Sequence, residues 1–185
     1  MKKTILTIVI AIFAITAFAQ KEENNVRIPS GYQGFLEIGN TWHVIDNHMP
    51  TTMNLSTTHG FYFNGRIFAG VGIGVDFCSD HTLVPIYANM RYVFINNKAI
   101  SPVLSLRLGS FMSEEVGAYG DFGIGVRFAS KRDFAINVMV AGTYYDKIWH
   151  YYQEDYIDEY GYHHNDWTNG KVSPSGVSLR IGIEW

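Results

Sequence analysis

The chain has 185 residues, a length that fits a single domain. Its formal net charge is −3, which argues against nucleic acid as a partner because phosphate binding needs a basic face. Cys78 is the only cysteine, so an internal disulfide is excluded and stability must come from packing and hydrogen bonds.

The first residues carry the pattern of a secretory signal peptide. Lys2 and Lys3 precede an apolar run over 5–15, and Ala17-Phe18-Ala19 then gives the small-x-small pattern of a cleavage site. The run is shorter than the ~20 residues of a spanning helix, which disfavours a retained anchor. We predict cleavage after Ala19. The predicted parts are a signal peptide at 1–19, an N-terminal lead segment at 20–30 and a folded domain at 31–185.

The rest of the chain alternates between apolar residues and polar or small ones. In the stretch IFAGVGIGVDF, at 67–77, apolar side chains take every second position, and glycines dominate the positions between them. Successive side chains of a strand point to opposite faces, so each such stretch predicts a strand with one apolar face. The predicted strands are 32–44, 54–64, 67–79, 83–95, 100–112, 117–129, 134–148 and 175–185.

Strand length and connection length favour a membrane barrel. The predicted strands reach the ~9–11 residues that a tilted membrane strand needs, whereas strands of soluble proteins are usually ~5–6 residues long. Asn64-Gly65 signals a tight turn at the same end as other short connections, and the long connections 45–53 and 149–174 share the other end. This asymmetry is typical of bacterial outer-membrane barrels. The predicted fold class is all-β, an eight-stranded antiparallel up-and-down transmembrane β-barrel after a cleaved signal peptide.

The charged face of these strands is predicted to point inward. It carries four acids and four arginines, and such a balanced set suits a closed interior, where unpaired charge is costly. Eight strands leave an interior that side chains can fill, so we expect a packed lumen and no open pore. The alternative is a soluble barrel with these charges on its outer face. The predicted lumen charges are Glu37, Asp76, Arg91, Arg107, Asp121, Arg127, Arg180 and Glu184.

Aromatic residues form two bands along the predicted strands, as expected where lipid meets water. The band at the tight-turn end comprises Phe61, Phe63, Tyr92, Phe94, Phe128, Phe134 and Trp185. The band at the loop end comprises Trp42, Phe77, Tyr144, Tyr145 and Trp149.

The last strand, SLRIGIEW at 178–185, ends in an aromatic residue. With the export signal, the eight alternating strands and the short turns at one end, it resembles the small outer-membrane β-barrel proteins of the OmpA-membrane-domain/OmpX-like type over essentially all of 30–185. The resemblance implies a place in the outer membrane of a Gram-negative bacterium, with outer-membrane lipid and the assembly machinery as partners. It also implies that this machinery reads the C-terminal strand, here Leu179, Ile181, Ile183 and Trp185.

The sequence does not indicate an enzyme. His43, Asp46, His48 and His81 lie near the predicted loop rim and could do acid–base work, but they form no nucleophile–base–orienter set. The acids and histidines of 150–170 match neither the calcium-loop spacing nor a zinc signature. We therefore predict no catalytic residue, no cofactor and no metal ligand, and leave open whether 149–174 binds a cation.

The connection 149–174 is acidic and rich in tyrosine, and tyrosine-rich loops supply rigid amphipathic contact area. We expect a non-enzymatic outer-membrane barrel, structural or adhesive, whose loops bind a surface protein or glycan. The alternatives are a secreted, soluble, lipocalin-like ligand-binding barrel and, less favoured, an outer-membrane enzyme at the loop rim. The loop-binding candidates are Tyr151, Tyr152, Tyr156, Tyr160, His163, His164 and Trp167.

Overall fold

A computed structural model describes most of the chain beyond the predicted signal peptide. The described residues are 28, 30–45, 51–78, 82–95, 97–112, 117–129, 134–146, 148–157 and 163–185, and within 148–172 the description covers the backbone alone. The predicted signal peptide lies outside these ranges, as does most of the lead segment.

The described residues form strands joined by turns and loops. The strands are β1 (Gly31–Ile45), β2 (Thr52–Phe63), β3 (Ile67–Phe77), β4 (Thr82–Leu83), β5 (Pro85–Val93), β6 (Ile100–Phe111), β7 (Ala118–Ala129), β8 (Ala135–Tyr145), β9 (Ile148–Ile157), β10 (His163–Val172) and β11 (Ser175–Glu184). No helix in the described ranges is long and apolar enough to cross a membrane.

Eight long strands close into an antiparallel barrel. The sheet runs β2-β1-β11-β8-β7-β6-β5-β3, and β2 also pairs with β3, so the two ends of this order meet. Closure pairs the backbone N–H and C=O groups that the edge strands of an open sheet would leave unpaired. The predicted all-β, eight-stranded antiparallel barrel is confirmed, and the strand limits differ from the predicted ones by a few residues.

Two differences from the predicted strands have physical causes. The predicted strand 83–95 is divided into β4 and β5 around Val84, where Pro85 follows and has no N–H to donate to a ladder. The predicted long connection 149–174 contains the hairpin β9–β10, which forms a separate two-stranded sheet. Its residues are largely polar, so apolar alternation gave no signal for these strands.

The turn between β2 and β3 has the conformation that its sequence predicts. Asn64 has φ 52° and Gly65 has φ 63°. A type I′ turn requires positive φ at both central residues, and the Asn-Gly pair meets this at low cost. This turn fixes the antiparallel register of β2 on β3, which runs from Phe63 opposite Ile67 to Met53 opposite Phe77.

The outer wall of the barrel is apolar and its inner face is polar. On β2, the side chains of Met53, Leu55 and Phe61 are exposed, whereas Ser56 and Thr58 between them are buried. On the outer wall, Leu108 is 57% exposed and Val71 is 67% exposed. A soluble barrel has the opposite arrangement, because its apolar face forms the core.

Candidate functional site

The lumen of the barrel is filled by three layers of side chains. At the tight-turn end lies an apolar layer, here called the lower cluster, which comprises Ile28, Phe35, Tyr62, Phe68, Val93, Val103 and Met139. At the loop end lies an aromatic layer, here called the upper cluster, which comprises Leu83, Tyr87, Phe111, Tyr119 and Tyr145, with Cys78 packed against it. Charged and polar side chains lie between them.

All eight predicted lumen charges lie in this interior. Each of them is 4% exposed or less, because each occupies a strand position whose side chain points into the lumen. A buried charge needs partners, since its desolvation is costly. The strands supply these partners across the lumen.

Glu37 on β1 is shared by two arginines. Arg91 on β5 donates from Nη2 to Glu37 Oε2 at 2.5 Å, and Arg107 on β6 donates from Nη2 to the same oxygen. The guanidinium of Arg91 also lies 3.9 Å from the centroid of the Phe35 ring, and that of Arg107 lies 4.9 Å from the Tyr87 ring. These cation–π contacts join the charged layer to the layers below and above it.

Two further ion pairs are bidentate. Arg127 on β7 donates from Nε and Nη2 to the two carboxylate oxygens of Glu184 on β11, each at 2.9 Å. Asn137 adds a donor to Glu184 Oε2 at 3.1 Å. Arg180 on β11 donates from Nη1 and Nη2 to Asp121 on β7 at 2.5 and 2.8 Å. The planar fork of arginine matches a carboxylate in this way, which lysine cannot do.

Asp76 differs from the other three acids. It accepts a hydrogen bond from the Tyr145 hydroxyl at 3.0 Å, and no ion pair joins it to an arginine of the described chain. It lines a polar cavity of about 10 Å³ beneath the upper cluster, together with Arg107, Ser178 and Arg180. The lumen charges balance in number, but the excess positive charge lies around Glu37 and the excess negative charge at Asp76.

The predicted assembly residues lie on the outer wall of β11. Leu179, Ile181 and Ile183 are exposed apolar side chains, and β11 pairs on both sides, with β1 and with β8. Trp185 follows the strand and exchanges two backbone hydrogen bonds with Gly34, at 2.9 and 3.1 Å. Trp185 is therefore held by β1, next to the strand pair β1–β11.

The indole of Trp185 lies directly over Gly34. A Cβ atom at Gly34 would come 2.7 Å from Cε2 of the indole, so glycine is required there for the ring to approach the backbone. The His59 ring stands edge-on to the indole at 6.1 Å, and the Tyr32 hydroxyl lies 2.6 Å from His59 Nδ1. These residues form an aromatic patch on the outer wall at the tight-turn end.

The two predicted aromatic bands lie on the outer wall, with one correction. The seven residues of the tight-turn band are exposed, as are Trp42, Phe77 and Tyr144 at the loop end. The placement of Tyr145 in this band was wrong. Its side chain is fully buried in the upper cluster, because neighbouring residues of a strand face opposite ways and Tyr144 takes the outward position. The Trp149 side chain lies outside the description.

The hairpin register divides the loop-binding candidates between two faces. Tyr156 is opposite His164, and Gln153 is opposite Trp167. Because residues two apart share a face, Tyr152, Tyr156 and His164 hold positions on one face and Tyr151, His163 and Trp167 hold positions on the other. The candidates therefore do not form one surface. Tyr160 lies outside the described residues.

The loop rim shows no assembled reaction centre in its described part. His43 Nε2 lies 2.8 Å from the Thr52 hydroxyl, and its ring stands edge-on to Tyr145. Asp46, His48 and His81 fall outside the description. Among the side chains described, no group of three or more histidine, cysteine or acidic residues could hold a metal ion.

Two solved structures have the same architecture. The crystal structure of Neisserial surface protein A aligns with a TM-score of 0.52 and 14% sequence identity, over 84% of this chain and 95% of that one. The N-terminal β-barrel domain of Pseudomonas aeruginosa OprF aligns with a TM-score of 0.50 and 10% identity, over 85% of this chain and 100% of that one. No protein-family model and no curated protein sequence matches the chain.

These alignments establish the class of fold. The chain has the eight-stranded antiparallel barrel fold of small outer-membrane proteins, and the resemblance that its sequence pattern carries is confirmed at this level. At such low identities the similarity concerns the fold, so the function must be argued from the residues themselves.

Proposed function

We propose that this protein is a non-enzymatic integral outer-membrane barrel. It carries a closed lumen and presents the β9–β10 hairpin as a binding surface for a protein or a glycan. Outer-membrane lipid and the outer-membrane assembly machinery are its partners during insertion, and the cell outer membrane of a Gram-negative bacterium is its location.

The observation that carries the membrane location is the inverted polarity of the barrel. Large apolar side chains face outward on every long strand, and three arginine–carboxylate clusters are buried inside. Soluble monomers rarely expose contiguous apolar patches larger than ~300–600 Å². In a membrane, lipid acyl chains would cover such a wall, whereas a soluble barrel would expose it to water.

The filled lumen supports a structural role without ion conduction. The lower cluster closes the tight-turn end, the upper cluster closes the loop end, and the polar cavity between them measures about 10 Å³. A cavity of ~10–15 Å³ has room for about one water molecule. Ions would need a continuous hydrated path, which these layers interrupt.

The hairpin supports the surface-binding role. It forms a two-stranded sheet that pairs with none of the described barrel strands. Its sequence combines tyrosine and tryptophan with histidine and carboxylates, and such aromatic residues offer contact area at a low entropy cost. A hairpin of this composition that is separate from the barrel sheet suits recognition.

The membrane location is tested by fractionation and by gel mobility. We expect the protein in the outer-membrane fraction, soluble only with detergent, and migrating faster before heating than after it. Recovery in a detergent-free soluble fraction would instead support the ligand-binding soluble barrel. A planar-bilayer recording then tests the closed lumen, with no stepwise conductance expected.

The binding role is tested by changing one hairpin face at a time. One variant replaces Tyr151 and Trp167 with serine, and the matched variant replaces Tyr152 and Tyr156 with serine. Both are compared with the unchanged protein on panels of immobilised glycans and surface proteins. Loss of a binding signal in one variant identifies the binding face, and identical binding by all three proteins contradicts a role for these aromatics.

A further inference from the structure

Ile28 lies inside the barrel although it belongs to no strand. Its side chain is 2% exposed and packs in the lower cluster, whose six other members come from β1, β2, β3, β5, β6 and β8. Residue 28 precedes β1, which begins at Gly31. The chain therefore enters the tight-turn end of the lumen before it joins the wall.

The backbone bends at Ser30 and takes an unusual conformation at Gly31. Ser30 is exposed, whereas Ile28 is buried, and Gly31 has φ +143°. This conformation lies in the region that L-residues with a Cβ rarely adopt. Open space surrounds the position, since an added Cβ would meet no atom within 4 Å. Glycine is thus favoured at this position by the backbone conformation, and not because a side chain would clash with its neighbours.

We infer that the Ile28 side chain is a plug for the tight-turn end of the lumen. The upper cluster is built from strand residues and the residues beside them, so it cannot leave without disturbing the wall. Ile28 is the one member of the lower cluster outside the strands. It can withdraw while every strand pairing remains.

The plug protects the charged layer above it. Phe35 belongs to the lower cluster, and the guanidinium of Arg91 lies on its ring at 3.9 Å. Arg91 in turn holds Glu37. Withdrawal of Ile28 opens a path for water to the lower cluster and then to this ion pair. Ile28 is in this way part of the barrel interior, although it precedes the first strand.

A cysteine reporter inside the lower cluster tests the plug. In a Cys78→Ser background, Val103→Cys places one thiol in a position that is 2% exposed. The folded protein in detergent is treated with a charged, water-soluble thiol reagent, and the labelling rate is measured. Labelling in urea shows the full reactivity of the thiol, and heat-modifiable mobility shows that each variant has folded.

Ile28→Gly and the milder Ile28→Ala remove the plug, and Ser30→Gly is the matched control at an exposed position. We expect labelling to rise at least about tenfold in Ile28→Gly, less in Ile28→Ala, and not in Ser30→Gly. Ile28→Leu should restore slow labelling. Should Ile28→Gly not fold, Ile28→Ala decides the question. Unchanged labelling in folded Ile28 variants would overturn the plug, while the mobility assay reports separately on the proposed barrel.

Discussion

Arg127 and Glu184 form a bidentate pair on the inner face of the barrel, with both hydrogen bonds at 2.9 Å. The residues are 57 positions apart in the chain, on β7 and β11, and both are buried. Because β8 lies between these strands in the sheet, the pair braces the barrel across its interior. Each charge depends on the other, since neither has another described ion-pair partner.

Breaking this pair from one side is expected to cost more than removing both charges. Arg127→Met leaves the Glu184 carboxylate buried, and loss of one partner of a buried pair costs ~3–5 kcal/mol of unfolding free energy. In Arg127→Met with Glu184→Gln no charge is stranded, so the double variant should be more stable than the single one. Urea unfolding in lipid vesicles measures the unfolding free energy of the single and of the double variant. A double variant no more stable than Arg127→Met alone would show that the stranded Glu184 carboxylate is not the cause of the loss.

The two acids of the loop-end half of the lumen should respond differently to neutralisation. Asp121→Asn strands the Arg180 guanidinium, which donates two hydrogen bonds to it, and the expected cost is ~3–5 kcal/mol. Asp76→Asn keeps an acceptor for the Tyr145 hydroxyl and strands no paired arginine, so ~1 kcal/mol is expected. The same unfolding measurement applies. The reverse order of costs would contradict the assignment of partners.

The effects of substituting Gly34 and Trp185 on the unfolding free energy should depend on each other, because the indole occupies the space that a Cβ at Gly34 would fill. Gly34→Ala places a Cβ 2.7 Å from the indole, and overpacking of this kind costs ~1–3 kcal/mol. Gly142→Ala is the control, because no atom lies within 4 Å of its added Cβ. The penalty should vanish when Trp185→Ala is combined with Gly34→Ala. A penalty that persists without the indole would assign the need for glycine to the backbone.

Removal of the hairpin should leave the barrel intact. β9 and β10 pair with each other and with none of the described barrel strands, so a short Gly-Ser turn in place of 149–171 breaks no barrel ladder. Heat-modifiable mobility should persist, and the unfolding free energy should change by less than ~1 kcal/mol because lengthening or shortening a loop alters closure entropy only slowly. Loss of the folded band would show that the hairpin supports the wall.

The sequence predicted which residues enter the lumen but not which of them meet. Parity along a strand places Glu37 and Arg107 on the inward face, because side chains alternate with a period of two. Their contact depends on the stagger between strands around the closed ring, and they are 70 positions apart in the chain. The stagger between strands also decides that Asp76 forms no ion pair with an arginine among the described residues.

Features outside the alternating strands left weaker signals. The sequence of the hairpin β9–β10 mixes aromatic and polar residues without apolar alternation, so no apolar period marked it. Ile28 is a single apolar residue ahead of the first strand, so no alternating pattern marked it as a lumen residue. Tyr145 was misplaced because two adjacent tyrosines were assigned to one face.

In the proposed membrane location, the apolar wall faces lipid while the charged face is closed from it. This arrangement is tested most directly by NMR cross-relaxation between side-chain methyl groups and lipid acyl chains in a nanodisc, without any substitution. Leu108 and Val71 on the outer wall should show contacts with acyl chains, and Val93 and Val103 in the lower cluster should show none. Water contacts at Leu108 and Val71 with no acyl contacts would contradict the account.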